Sequence, residues 1–160
     1  MSCIRIGMAD YGVSKAPDVL VTIGLGSCVG VTLYDPVLKV GGLAHIMLPC
    51  SHQYSANSTK GKFADTAIDV VLEKLKAMGA VTDRLVSKLA GGARMFEIKS
   101  SDERLKIGDR NIEAAIKVLK SRGIPIVAKD VGGTYGRTIE LHLEDGSLVV
   151  KTIGRGVKIL

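Results

Sequence analysis

Cys28 and His45 are the two side chains whose chemistry stands out. Cys28 lies in the run Thr22-Ile-Gly-Leu-Gly-Ser-Cys-Val29, directly after a glycine-rich turn and ahead of a β-branched stretch. His45 follows seventeen positions later in Ala44-His-Ile-Met-Leu-Pro49. A thiol beside an imidazole is the minimum equipment for nucleophilic acyl chemistry. The thiol, with an ordinary pKa of about 8.5, needs a base to activate it. The oxyanion that forms needs donors, which the backbone N–H groups of Gly26, Ser27 and Cys28 can supply. An activated thiolate would alkylate near neutral pH faster than Cys3 or Cys50. The bland readings are a small buried hydrophobe for the cysteine and a carbonyl-satisfied core residue for the histidine. The spacing of the two favours catalysis.

Positioning them falls to strands expected at residues 3–8, 19–23, 28–34 and 40–48, with Asp35-Pro36 as a turn signal. If the third and fourth strands form a hairpin with Pro36-Val37 at its tip, Cys28 opposes His45. If the second and third turn through Gly24-Leu-Gly26, Thr22 opposes Cys28. Directly opposed residues share a sheet face, with Cβ atoms roughly 4.5–5.5 Å apart. Thr22, Cys28 and His45 are thus expected side by side in one row, Thr22 orienting the imidazole as an Asp or Asn does in other triads. A one-residue slip in either turn would destroy the row.

After the polar loop 49–61, whose place beside the His45 strand makes it a candidate lid, a helix is expected over 63–78. Its stripe is Ala64, Ala67, Ile68, Val71, Leu72 and Leu75, and Gly79 stops it. A strand follows near 85–89, then a second helix from about Asp109 with Ile112, Ala115, Ile116 and Leu119 facing inward, ended by Gly123 and Pro125. A strand over 126–131 completes a weak internal repeat, Lys88-Leu-Ala-Gly-Gly against Lys129-Asp-Val-Gly-Gly. A hairpin around Glu144-Asp-Gly146 and a short strand at 157–160 end the chain. No linker divides it, so residues 1–160 read as one domain with helices packed on mixed β-sheet.

The composition, 46% hydrophobic and 24% charged, is that of an ordinary globular protein. A formal charge of +6 favours acidic partners. Two Phe, four Tyr, no Trp and no clustered basic motif speak against nucleic acid, leaving an acidic protein surface as the better partner. Three cysteines without C-x-x-C spacing indicate neither a disulfide framework nor a zinc ribbon. With no signal sequence and no apolar run of membrane-spanning length, a cytoplasmic protein without membrane insertion is expected. Gly24-Leu-Gly26 fails as a dinucleotide fingerprint, because Val29 stands where a glycine is required and a strand follows instead of a helix. Cys50 and His52 in one loop are too few for a metal site, and His142 in a late strand reads as structural.

Five stretches taken together resemble the CheD family of chemoreceptor glutamine deamidases. They are Gly24-Leu-Gly-Ser-Cys-Val29, Ala44-His-Ile-Met-Leu-Pro49, Lys88-Leu-Ala-Gly-Gly-Ala-Arg-Met-Phe96, Ile107-Gly-Asp-Arg-Asn111 and Asp130-Val-Gly-Gly-Thr-Tyr-Gly-Arg137. The resemblance implies Cys28 as nucleophile, His45 as general base and acid, and Thr22 as the third residue. It implies a layered α/β/β/α sandwich of mixed sheets related to cytotoxic necrotizing factor-type deamidases. It also implies glutamines on cytoplasmic helices of methyl-accepting chemotaxis receptors as substrate, with the CheC phosphatase as a binding partner. The chemistry calls for no cofactor and no metal, and methylesterase side activity would pass through the same acyl-enzyme. The rival implied by the same likeness is a non-enzymatic module that binds and stimulates the phosphatase.

Overall fold

The computed structural model describes residues 1–51, 59–95 and 106–160. Ten strands and two helices follow in the order β1 (Cys3–Arg5), β2 (Tyr11–Lys15), β3 (Val19–Leu25), β4 (Val29–Asp35), β5 (Val40–Ile46), α1 (Ala64–Ala77), β6 (Val86–Gly91), α2 (Ile107–Ser121), β7 (Ile126–Val131), β8 (Arg137–His142), β9 (Leu148–Thr152) and β10 (Gly156–Ile159). They form two mixed five-stranded sheets, β1-β3-β8-β9-β10 and β2-β5-β4-β6-β7.

Of the α/β/β/α sandwich that the resemblance implies, the two mixed sheets and one helical layer are present among the described residues. Both helices lie on the outer face of the β2-β5-β4-β6-β7 sheet, so among the described residues the layers run helices, sheet, sheet. The helix stripe read from the sequence is the buried face of α1: Ala64, Ala67, Ile68, Val71, Leu72 and Leu75 share one core with Val29, Val31, Ala44 and Ile46. Each large aliphatic side chain buried this way stabilises by roughly 1.5–3 kcal/mol. The second core fills the space between the sheets, with Leu20, Leu25, Leu43, Ile139, Leu141 and Val150. Strands β4 and β5 are covered by helices on one side and by a sheet on the other. Every residue in them is therefore buried, and neither shows polar alternation. No described helix is long and apolar enough to cross a membrane.

Three features depart from the expected strand arrangement. Tyr11–Lys15, which lies between the expected strands 3–8 and 19–23, is an edge strand paired antiparallel to β5. The β4–β5 hairpin closes at Asp35↔Val40 and leaves Pro36–Lys39 as its loop, so Gly30, not Cys28, opposes His45. Asp35 sets that loop: its buried carboxylate accepts the N–H groups of Val37 at 2.9 Å and Leu38 at 3.2 Å, and Arg84 holds it at 2.8 Å. Thirdly, β3 and β4 are not partners. β3 pairs with β1 and β8 in one sheet while β4 sits in the other, so the glycine turn between them crosses from sheet to sheet.

The internal repeat has a structural counterpart. β6 and β7 are parallel neighbours, and their glycine pairs meet at the same end of the sheet, where the Gly132 N–H donates to the Gly91 carbonyl at 2.9 Å. All four glycines, Gly91, Gly92, Gly132 and Gly133, have positive φ.

Candidate active site

Two of the three expected residues, Thr22 and His45, meet, and Cys28 shares the sheet face of His45, by a different route from the single row. Side chains alternate along a strand, so the two-residue shift of the hairpin leaves Cys28 on the same sheet face as Gly30 and His45. That is the face turned toward the second sheet, since Cys28 packs in the inter-sheet core with Leu25, Ala90 and Ile139. Cys28 becomes the diagonal neighbour of His45; such neighbours lie roughly 7–8 Å apart, within reach of long side chains. Thr22 reaches the imidazole across the sandwich from β3, its Oγ1 lying 2.7 Å from His45 Nδ1. Face-to-face packing of the sheets does what the sequence assigned to strand pairing.

This contact fixes the tautomer of the imidazole. A hydroxyl has one proton to donate. Thr22 Oγ1 lies 2.7 Å from the Ile6 carbonyl, which can only accept, so the hydroxyl proton is directed there. The oxygen must then accept from His45, whose Nδ1 carries the hydrogen and whose Nε2 keeps its lone pair. Nε2 is buried and has no partner among the described residues. The backbone of His45 is fixed as well: its N–H donates to the Asp10 carbonyl at 3.0 Å and its carbonyl accepts from Ala9 at 3.1 Å.

Burial sets the resting protonation of both groups. It pushes the Cys28 thiol above its ordinary value, with the residue's own backbone N–H partly opposing the rise. It pushes His45 below its ordinary value. Desolvation disfavours either charged form, so the resting pair is thiol and neutral imidazole. This differs from the activated resting thiolate considered from the sequence. Cys28 is 8% exposed while Thr22 and His45 are fully covered, so of the trio only Cys28 keeps any accessible surface.

The turn carrying Cys28 is held by its carbonyls. The Gly26 carbonyl accepts from Ala93 and the Cys28 carbonyl from Gly92, both at 2.8 Å. The Ser27 carbonyl accepts from Asn111 Nδ2 at 3.0 Å, and the same nitrogen donates to the Met47 carbonyl at 2.9 Å. Of the N–H groups expected to hold an oxyanion, that of Gly26 is engaged by the Gly24 carbonyl at 3.1 Å. Among the described residues, neither the Ser27 nor the Cys28 N–H donates to another residue. Arg137, buried, donates to the Gly132 carbonyl at 2.9 Å and reaches the Asp130 carboxylate at 3.3 Å, fastening the end of β7 beside this turn.

Neither Asn111 nor Arg137 was assigned a role from the sequence, although both stand in the quoted motifs. A polar residue on the inward side of the second helix, one position before Ile112, was the available signal for Asn111. His52 and residues 52–58 of the candidate lid, with Phe96, lie outside the described residues. Cys50 is half-buried, and His142 contacts Glu140 at 3.2 Å, away from the trio.

Residues 47–152 match the family described as CheD chemotactic sensory transduction. A probable chemoreceptor glutamine deamidase CheD from Caldanaerobacter subterraneus subsp. tengcongensis is 59% identical over 157 residues, covering 98% of this chain and 97% of its own. The chain belongs to the CheD family. A CheD chemoreceptor glutamine deamidase from Halalkalibacterium halodurans is 49% identical, covering 97% of this chain and 96% of its own. A probable one from Lachnoclostridium phytofermentans is 48% identical over the same shares. Among solved structures, Neisseria meningitidis protein NMB0706, of the DUF152 family, superposes with a TM-score of 0.50 at 12% identity. The match covers 84% of this chain and 65% of that one, and the likeness is one of fold.

Proposed function

We propose that this CheD-family chain is a protein-glutamine deamidase of chemoreceptors, working as one domain in the cytoplasm through Cys28, His45 and Thr22. The observation that carries the reading is the Thr22 hydroxyl at 2.7 Å from both the Ile6 carbonyl and His45 Nδ1. It leaves a bare Nε2 on the sheet face that Cys28 shares. The relatives, named as chemoreceptor glutamine deamidases, supply the substrate class.

His45 Nε2 takes the thiol proton as Cys28 Sγ bonds to the carbon of the glutamine carboxamide. The carbonyl electron pair moves onto oxygen, and the Ser27 and Cys28 N–H groups receive the oxyanion. As the intermediate collapses, the C–N bond breaks and the Nε2 proton passes to the leaving nitrogen, which departs as ammonia. Water then adds to the thioester, giving one proton to Nε2. The C–S bond breaks, that proton returns to sulfur, and the side chain is left as a carboxylic acid, which releases its remaining proton to water and becomes glutamate. Through each transfer Thr22 accepts from Nδ1, which stays protonated. The charge of +6 suits an acidic receptor surface.

CheC is the partner in this reading. Cys28→Ala and the unaltered protein are incubated with a chemoreceptor cytoplasmic fragment, and ammonia and the amide-to-acid mass change are followed. Conversion is expected only with the thiol present, and equal conversion by both proteins ends the proposal.

A further inference from the structure

The peptide planes of the Cys28 turn are anchored from behind. In a trans peptide, the carbonyl of one residue and the N–H of the next point in opposite directions across one rigid plane. The Ala93 N–H holds the Gly26 carbonyl at 2.8 Å and so aims the Ser27 N–H away from residue 93. The Asn111 amide holds the Ser27 carbonyl at 3.0 Å and so aims the Cys28 N–H away from α2. The other hydrogen of the same nitrogen goes to the Met47 carbonyl at 2.9 Å, two residues beyond His45. One side chain thus spans the end of the nucleophile turn and the end of the strand that carries the base.

Helix stability does not account for an asparagine here. The residue is fully buried, and its Oδ1 has no partner among the described residues. Asparagine is also a poorer helix former than leucine or alanine. The approach of α2 that brings the amide into range is itself specified. A Cβ on Gly108 would lie 2.5 Å from the Ala93 carbonyl oxygen and 2.7 Å from that of Gly92, so only glycine lets this turn of α2 sit against the strand end.

We infer that Asn111 is a positioning residue for the deamidation: its amide nitrogen fixes the Ser27–Cys28 peptide with its N–H facing the nascent oxyanion, and holds that turn in register with the His45 strand. The inference rests on the deamidase reading above. A residue in this role changes the chemical step, since the oxyanion exists only after attack. Alkylation of the thiol by iodoacetamide develops no oxyanion and is spared.

The test uses the full chain with Asn111→Leu, which removes both donors at similar volume, and Asn111→Asp. For Asn111→Leu, folded by circular dichroism at the assay temperature, kcat on a chemoreceptor fragment is expected to fall about 10²-fold, the usual effect of losing one oxyanion donor. KM and the Cys28 alkylation rate stay within about twofold. Asn111→Asp, buried against two carbonyls, keeps one O–H donor while protonated. Its kcat is therefore expected to fall as pH rises, along a limb the unaltered protein lacks. Wild-type kcat in folded Asn111→Leu overturns the inference, as does a parallel fall of kcat and alkylation. If Asn111→Leu does not fold, a pH profile of Asn111→Asp identical to wild type overturns it. Failure here with conversion still lost in Cys28→Ala removes only the role of Asn111, whereas retained conversion in Cys28→Ala removes the deamidase reading itself.

Discussion

Thr22→Val tests the tautomer argument at its origin. Valine keeps the shape of threonine and removes one oxygen, which in the folded protein serves two groups at 2.7 Å, the Ile6 carbonyl and His45 Nδ1. Thr22 is fully buried, so neither group can turn to solvent. Leaving a buried polar group unsatisfied costs about 1–3 kcal/mol. Two such groups, partly relieved by relaxation, give a loss of about 2–4 kcal/mol and a fall in Tm of roughly 5–15 °C. The catalytic loss has a separate source. The Nδ1–H tautomer forfeits the hydrogen bond that favoured it, worth about 1–2 kcal/mol, and each 1.36 kcal/mol is tenfold. With a loosened ring added, kcat is expected to fall roughly 10–100-fold while KM holds, because Thr22 makes no contact with substrate in this mechanism. Ammonia release from a chemoreceptor fragment measures kcat, and ¹⁵N chemical shifts of labelled histidine report which ring nitrogen is protonated. Thr22→Ser, which keeps the oxygen, should retain most of the activity. The reasoning is refuted if folded Thr22→Val turns over at the wild-type rate, or if native His45 carries its proton on Nε2.

Three further outcomes follow from burial and backbone geometry. Burial raises the thiol of Cys28 and lowers His45, so near neutral pH iodoacetamide should modify Cys28 more slowly than exposed Cys3. Because His45 stays neutral to a lower pH than an ordinary histidine, the acid limb of kcat/KM should fall below pH 6.5, and a limb at or above that value contradicts the assignment. Gly91→Ala should be severe. The backbone there has φ of 106°, and an added Cβ would lie 2.4 Å from the Cys28 carbonyl oxygen, a backbone atom with little room to yield. A stability loss of about 2–4 kcal/mol with loss of deamidation is expected, and a thermal melt matching wild type would contradict it.

The sequence by itself determined the periodic elements and the chemical types at the site. The stripe of α1 is legible because an amphipathic helix repeats every 3.6 residues regardless of its neighbours, and all six of its apolar residues are buried. Cys28, His45 and Thr22 are legible as candidates through residue type and spacing, and a period of two along a strand keeps Cys28 and His45 on one face even when the hairpin register moves by two. The tertiary structure decided what is long-range. Where the hairpin loop closes depends on the buried Asp35 carboxylate and its partner Arg84, forty-nine residues away. That β3 and β4 part into different sheets depends on β8 pairing with β3, a contact more than a hundred residues apart in the chain. No local pattern encodes such partners. Asn111 was illegible for the same reason: its two acceptors, on Ser27 and Met47, are backbone carbonyls that every residue possesses, and only packing selects which of them an amide meets.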